Sequence, residues 1–201
     1  MRKRGARAHL GIMDAFPEDL TGKLLVAMPG MGDPRFDHSV VFLCAYSDEG
    51  AMGLIINKEV PEVSLNDLLD QLDIDRGRAS DGIRVHFGGP VEGGRGFVLH
   101  TDEYNGGLGS LLIEDGYMMT ATKDILVDMA VGRGPARALT ALGYAGWGPG
   151  QLESELQENA WLTVDADMAI VFDPDLETKW TKALAKLGID PLVLSSEGGT
   201  A

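Results

Sequence analysis

The sequence has one cysteine, Cys44, among 201 residues, so no internal disulfide can form. That scarcity fits a reducing compartment, and the cytoplasm is the expected location. Long apolar runs are missing as well. The longest, Val40 to Tyr46, is far short of the ~20 residues that a membrane helix needs. The basic start MRKRGARAH is followed by Leu10, Gly11, Ile12, Met13 and Asp14, which make no apolar stretch of signal-peptide length. Neither a membrane partner nor secretion is expected. Positive charge is scarce, with 17 Lys and Arg against 31 Asp and Glu. Residues 1 to 9 hold four of the bases and no acid, which leaves 13 basic against 31 acidic residues in the remainder, a net charge of −18. Non-specific nucleic-acid affinity comes from Lys and Arg at phosphates, so this body excludes direct nucleic-acid binding as an expectation. The basic start reads either as a disordered arm or as a phosphate- or lipid-binding one.

Several reaction motifs are absent. The chain contains no H-E-x-x-H, C-x-x-C or G-x-S-x-G, no G-x-G-x-x-G opening a helix and no G-x-x-x-x-G-K-[ST]. No metal and no cofactor is expected. What the chain has in excess is glycine, 27 copies against a typical share of about 7%. They cluster as Gly88-Gly89, Gly93-Gly94 and Gly106-Gly107 without a fixed period, which implies many tight turns rather than a repeat. Length and composition fit one globular unit. The expected organisation is a basic N-terminal arm over 1–15, a single domain over 16–195 and a flexible C-terminus over 196–201.

Along the chain, Lys23–Met28, Ser39–Tyr46 and Gly53–Asn57 read as strands, with Asp48-Glu49-Gly50 as the turn between the last two. The segment Ser64–Leu72 is the clearest helix. Ser64 and Asp67 have capping-box spacing, and Leu65, Leu68, Leu69 and Leu72 fall on one face. Further strands are expected at Ile83–Phe87, Phe97–His100, Leu111–Ile113, Tyr117–Thr120, Arg137–Tyr144, Trp161–Val164 and Met168–Phe172. A helix should follow Thr122 and stop at Gly132. Another should begin at Pro149 and bury Leu152 and Leu156. A last one should start at Asp173-Pro174 and present Leu176, Trp180, Leu184 and Leu187 before Gly188. Helices interleaved with hairpins predict an α/β fold of mixed α+β kind built on a mixed sheet.

The loop MPGMGDPRFDHS places Asp33, Asp37 and His38 close together. Two carboxylates and an imidazole can bind a metal or share a proton. The alternative is structural, with Asp33 capping a turn begun by Pro34, and Asp37 and His38 pointing apart on an extended chain. Cys44 shares a strand face with Val40 and Phe42 and reads as a buried, inert thiol. His86 and His100 read as hydrogen-bonded structural histidines. FGGPVEGGRGF reads as paired turns between strands, with anion binding at Arg95 as the alternative. In GYAGWGPGQLE, Trp147 is expected at a bend that Gly146 and Gly148 permit, as a wall on which neighbours pack and as the lining of any cleft.

Six ordered segments, MPGMGDPRFDHSVVFLC, GAMGLIINK, VHFGGPVEGGRGFVLH, TATKDIL, GYAGWGPGQLE and NAWL, together resemble the YqgE/AlgH family from about Thr21 to Leu194. The resemblance implies a bacterial cytoplasmic protein whose bifurcated mixed sheet partly closes into a small barrel flanked by helices. It brings no catalytic residues. Some relatives carry the label of a transcriptional regulator of alginate production, but this acidic chain has no helix-turn-helix with a basic second helix. Relatives often end in Gly-His-Ala, whereas Thr200 stands here in the histidine's place. Two readings follow. In one, the protein is a non-catalytic binding or regulatory protein with a protein or small-molecule partner. In the other, it is a hydrolase-like or metal-assisted enzyme using Asp33, Asp37 and His38. The candidate ligand cleft comprises Asp33, Asp37, His38, Asn57, Trp147 and Gln151.

Overall fold

A computed structural model describes residues 19–114 and 116–196. The basic arm at residues 1–15, and Thr200 with the rest of residues 197–201, lie outside the described residues.

The apolar run at Val40 is buried on both faces, which decides the architecture. Strands β1 (Lys23–Ala27), β2 (Val40–Ser47) and β3 (Gly50–Ile55) form an antiparallel meander. On β2, Val40, Phe42 and Cys44 enter one hydrophobic cluster, while Val41 and Leu43 enter a second on the opposite face. This two-residue alternation puts one sheet at the centre of two layers. Cys44 is 2% exposed, and burial pushes its thiol up to about 12, as expected of an inert side chain.

The remaining strands are β4 (Glu59–Ser64), β5 (Arg84–Phe87), β6 (Val91–Thr101), β7 (Ser110–Glu114), β8 (Tyr117–Thr120), β9 (Ala138–Trp147) and β10 (Trp161–Asp165). The main path runs β10-β1-β2-β3-β9-β6-β8-β7, and β4-β5 branches from β9. Strand β9 is the fork. Its first part pairs with β6 and, in parallel, with β5, whereas Ala145–Trp147 pair with β3. The mixed sheet curls into a half-barrel flanked by helices. Backbones cross closely at the fork, which explains part of the glycine excess. A Cβ on Gly88 would stand 2.2 Å from the Gly143 carbonyl oxygen, and one on Gly89 would stand 2.1 Å from the Tyr144 carbonyl carbon. Only glycine fits such an approach. The expectation of paired turns in FGGPVEGGRGF is corrected, because β6 runs unbroken from Val91 with a register shift between Val91 and Gly96.

Helix α1 (Leu65–Gln71) carries the capping box that its spacing predicts, with Ser64 and Asp67 each satisfying the other's backbone N–H. With α2 (Lys123–Ala130) it covers Val98 of β6 in a third cluster. Helix α3 (Gln151–Gln157) buries Leu152 beside Trp147 and Trp161. The segment Met168–Phe172, expected as a strand, is the short helix α4 (Met168–Val171). Asp167 caps it by accepting from the Ala169 N–H, a local bond that outweighs the β-leaning Ile170-Val171 pair. The last amphipathic helix, α5 (Lys179–Lys186), starts later than expected because Asp173 accepts from the Asp175 N–H and pairs with Lys182 instead of capping. Trp180 and Leu184 are buried in it, but Leu187 is exposed. Strand β4 and helix α6 (Pro191–Ser196) had no counterpart in the pattern. No helix of the described residues is long and apolar enough to cross a membrane.

Candidate functional site

The Asp33–His38 loop is held together by local bonds. Asp33 caps the turn Pro34–Phe36, accepting from the Arg35 N–H at 3.0 Å and from its guanidinium at 2.6 Å. That guanidinium holds the Asp33 carboxyl below its ordinary range. Asp37 bonds His38 Nδ1 at 2.8 Å. The two side chains therefore meet, contrary to the extended-chain expectation, because His38 takes φ +52° and turns the backbone. The His38 ring then lies over Trp180 with centroids 4.5 Å apart. Asn57 reaches the loop from the end of β3. Its Oδ1 accepts from the Val40 N–H and its Nδ2 donates to the His38 carbonyl, both at 2.8 Å. The structure thus brings Asp37, His38 and Asn57 together as a clamp, with Asp33 turned to Arg35. Among the described residues, no group of three or more His, Cys, Asp or Glu is placed to hold a metal ion.

Trp147 and Gln151 belong to a different knot. The strand expected to stop near Tyr144 continues to Trp147, and the left-handed turn falls on Gly150 at φ +72°, not on Gly146 or Gly148. Trp147 is 7% exposed and packs edge-on against Trp161 at 5.9 Å. One carboxylate oxygen, Glu155 Oε2, accepts both indole N–H groups at 2.8 Å, while Oε1 accepts from Gln151 Nε2 at 2.9 Å. Gln151 Oε1 in turn accepts the Gly148 N–H.

Across the sheet from that knot lies an open cleft of about 580 Å³. Because side chains alternate along β9, Tyr144 faces one layer and Ala145 and Trp147 the other. Trp147 borders the cleft, but Tyr144, Phe97, Met52 and Met119 supply its apolar walls. Phe97 meets Tyr144 edge-on at 6.0 Å, and the Arg95 guanidinium lies 5.1 Å above the Phe97 ring. Glu49 and Arg95 put one charge of each sign on the lining. Sequence reasoning singled out Trp147 and Arg95 and missed Tyr144 and Phe97. The alternation of GYAGW along a strand was the signal that separates Tyr144 from Trp147.

A second cavity, of about 280 Å³, contains groups that the sequence reading passed over or treated as structural. Lys179, His86 and Arg84 line it with Asp173, Phe172 and Leu176. Lys179 is 1% exposed, and its Nζ donates to the Ile56 and Val171 carbonyls at 2.8 and 2.7 Å. Burial pulls this ammonium down to about 8. His86 Nδ1 bonds the Thr140 carbonyl at 3.1 Å, the structural role expected of it, and burial followed by the Lys179 charge pushes the ring down to about 4. His100 is likewise fixed, by the Thr101 carbonyl and Thr120 Oγ1. The signal for Lys179 was its place four residues before Ala183, inside the buried arc of α5.

Comparison with known proteins gives the chain its relatives. An AlgH-like family model matches residues 24–192. A UPF0301 protein of Ruegeria pomeroyi is 56% identical over 184 residues, which cover 91% of this chain and all of the relative. A UPF0301 protein of Rhodospirillum rubrum is 54% identical over 182 residues, covering 90% of this chain and 94% of that one. The solution structure of the AlgH protein from Pseudomonas aeruginosa superimposes with a TM-score of 0.76 at 40% identity, covering 93% of this chain and 98% of that one. A Corynebacterium diphtheriae crystal structure, at 18% identity and TM-score 0.67 over 89% of this chain and 91% of that one, shares the fold.

Proposed function

The chain belongs to the AlgH-like family, and on that premise we propose that it is a non-catalytic binding or regulatory protein of the cytoplasm that does not contact nucleic acid directly. The observation that supports this reading most is the open cleft walled by Met52, Phe97, Met119 and Tyr144. Concave apolar walls with a few polar groups at fixed places are what recognition of a small molecule or a partner's side chains requires. Rigid aromatics lose little entropy on contact, and Arg95 and Glu49 orient whatever enters. The loop proposed as catalytic supports the same reading from the other side. Asp33 and Asn57 each bond backbone groups that shape the loop, and Asp37 and His38, bonded to each other through their side chains, are more than half exposed. The −18 body supports the exclusion of nucleic acid.

Ala45 is exposed and lines the cleft, so a larger side chain there obstructs it without removing a buried group. Titration with the fluorescent probe anilinonaphthalene sulfonate should show one saturable site. Ala45→Tyr should weaken that site about tenfold, equivalent to about 1.4 kcal/mol, at an unchanged denaturant midpoint. Equal affinity in the two proteins would remove the cleft as the recognition surface.

A further inference from the structure

The Lys179 cavity gathers two cations, Lys179 and Arg84, with Asp173 as the acid on its lining. Among the described residues, neither Lys179 nor Arg84 has a carboxylate within ion-pair distance. Arg84 donates to the Pro174 carbonyl at 3.0 Å. Asp173, the acid on the lining, pairs with Lys182. The buried Lys179 ammonium donates to two carbonyls and feels the Asp173 charge without an ion pair to it, and a further counter-charge reduces the cost of burying it. Among the described residues Lys179 Nζ has these two protein acceptors, so an ammonium with three N–H donors has one left for a ligand.

His86 adds the opposite kind of group. A carbonyl only accepts, so Nδ1 carries the ring's proton toward Thr140, and Nε2 of the neutral ring holds a lone pair. Among the described residues the only buried side-chain polar atom without a partner is Thr140 Oγ1. His86 Nε2, also without a protein partner, is therefore open to solvent, and His86 lines this cavity.

We infer that the cavity between β5 and the 172–179 segment binds a small oxyanion that also carries an O–H donor, with its anionic oxygens at Lys179 Nζ and the Arg84 guanidinium and its hydroxyl donating to His86 Nε2. Size fits the class. A cavity of about 150 Å³ takes benzene, so 280 Å³ admits a hydroxycarboxylate of about ten non-hydrogen atoms. Charge-assisted bonds to the two cations supply affinity. The lone pair at Nε2 supplies selection, because a ligand without the hydroxyl leaves that acceptor unpaired and a ligand with an acceptor there meets lone-pair repulsion. This site is independent of the cleft beside Tyr144 and stands whether or not that cleft binds anything.

Malate and succinate differ by one hydroxyl and test the inference as probes. In amide chemical-shift titrations at pH 7, malate should move the resonances of residues 82–86 and 172–179 saturably and bind about tenfold more tightly than succinate, the discrimination that one satisfied polar group supplies. Arg84→Gln, at an exposed position, should weaken both probes about fivefold or more while the fold persists. His86→Phe should bring the two affinities together. Should that variant not fold, the wild-type ratio decides alone. Equal affinities in the wild type, shifts confined to other residues, or an Arg84→Gln protein that binds as the wild type does would each overturn the assignment.

Discussion

Trp147→Ala should destabilise the protein by about 3–5 kcal/mol, the range for truncating a large buried aromatic. The indole is 7% exposed, lies in the cluster with Leu152 and Trp161, and donates to Glu155. Truncation removes the edge-on contact with Trp161 and leaves a cavity between β9 and α3 that their backbones cannot close. Denaturant unfolding measures the loss as a lower midpoint at unchanged slope. Because the indole faces away from the Tyr144 side, probe affinity in the cleft should survive under conditions where the variant is folded. A loss below about 1 kcal/mol would place Trp147 among ordinary surface positions and contradict the packing described.

Glu155→Ala should cost about 2–4 kcal/mol, because one substitution strands two indole donors and each buried unpaired group costs about 1–3 kcal/mol. Glu155 Oε2 serves Trp147 and Trp161 together, a convergence that ties the end of β9 to the start of β10 through α3. Glu155→Gln retains an acceptor oxygen but exchanges a charged acceptor for a weaker neutral one, so its cost should be about half as large. If Glu155→Ala and Glu155→Gln unfold at the same midpoint as the wild type, the shared-acceptor account fails.

The two effects come from residues whose roles were legible to different degrees. A tryptophan between glycines announced a packed aromatic near a helix start, and the indole N–H found the acceptor that burial demands. That the acceptor would be Glu155 was not legible, because α3 sets it eight residues away through a turn whose left-handed residue is Gly150. The apolar runs placed β1, β2 and β8 well, β1 and most of β2 being buried on both faces, and helical spacing with the Ser64-Asp67 box fixed α1 and its start. Periodicity failed at Met168–Phe172, where a side-chain cap from Asp167 decides the conformation and the apolar pattern does not distinguish helix from strand. It failed too at β4, a half-exposed strand that exists by pairing with β5 and carries Pro61.

The candidate site was legible only in pieces. Asp37, His38 and Asn57 do meet, but as a backbone clamp whose key geometry, the positive φ of His38, has no local sequence signature. Trp147 and Gln151 share a carboxylate on the far face of β9 from Tyr144. Both cavities are assembled from strands distant in sequence, meeting only because β9 forks between β3, β5 and β6.

The central claim is that the protein recognises a ligand at the cleft beside Tyr144 and does not transform it. The most direct measurement is parallel affinity selection from a metabolite and peptide mixture by the wild type and Ala45→Tyr, followed by mass spectrometry of what each retains and of what remains after prolonged incubation. The account predicts at least one species held by the wild type, lost from Ala45→Tyr and recovered chemically unchanged. Conversion of the retained species by the wild type, or equal retention by both proteins, would contradict it.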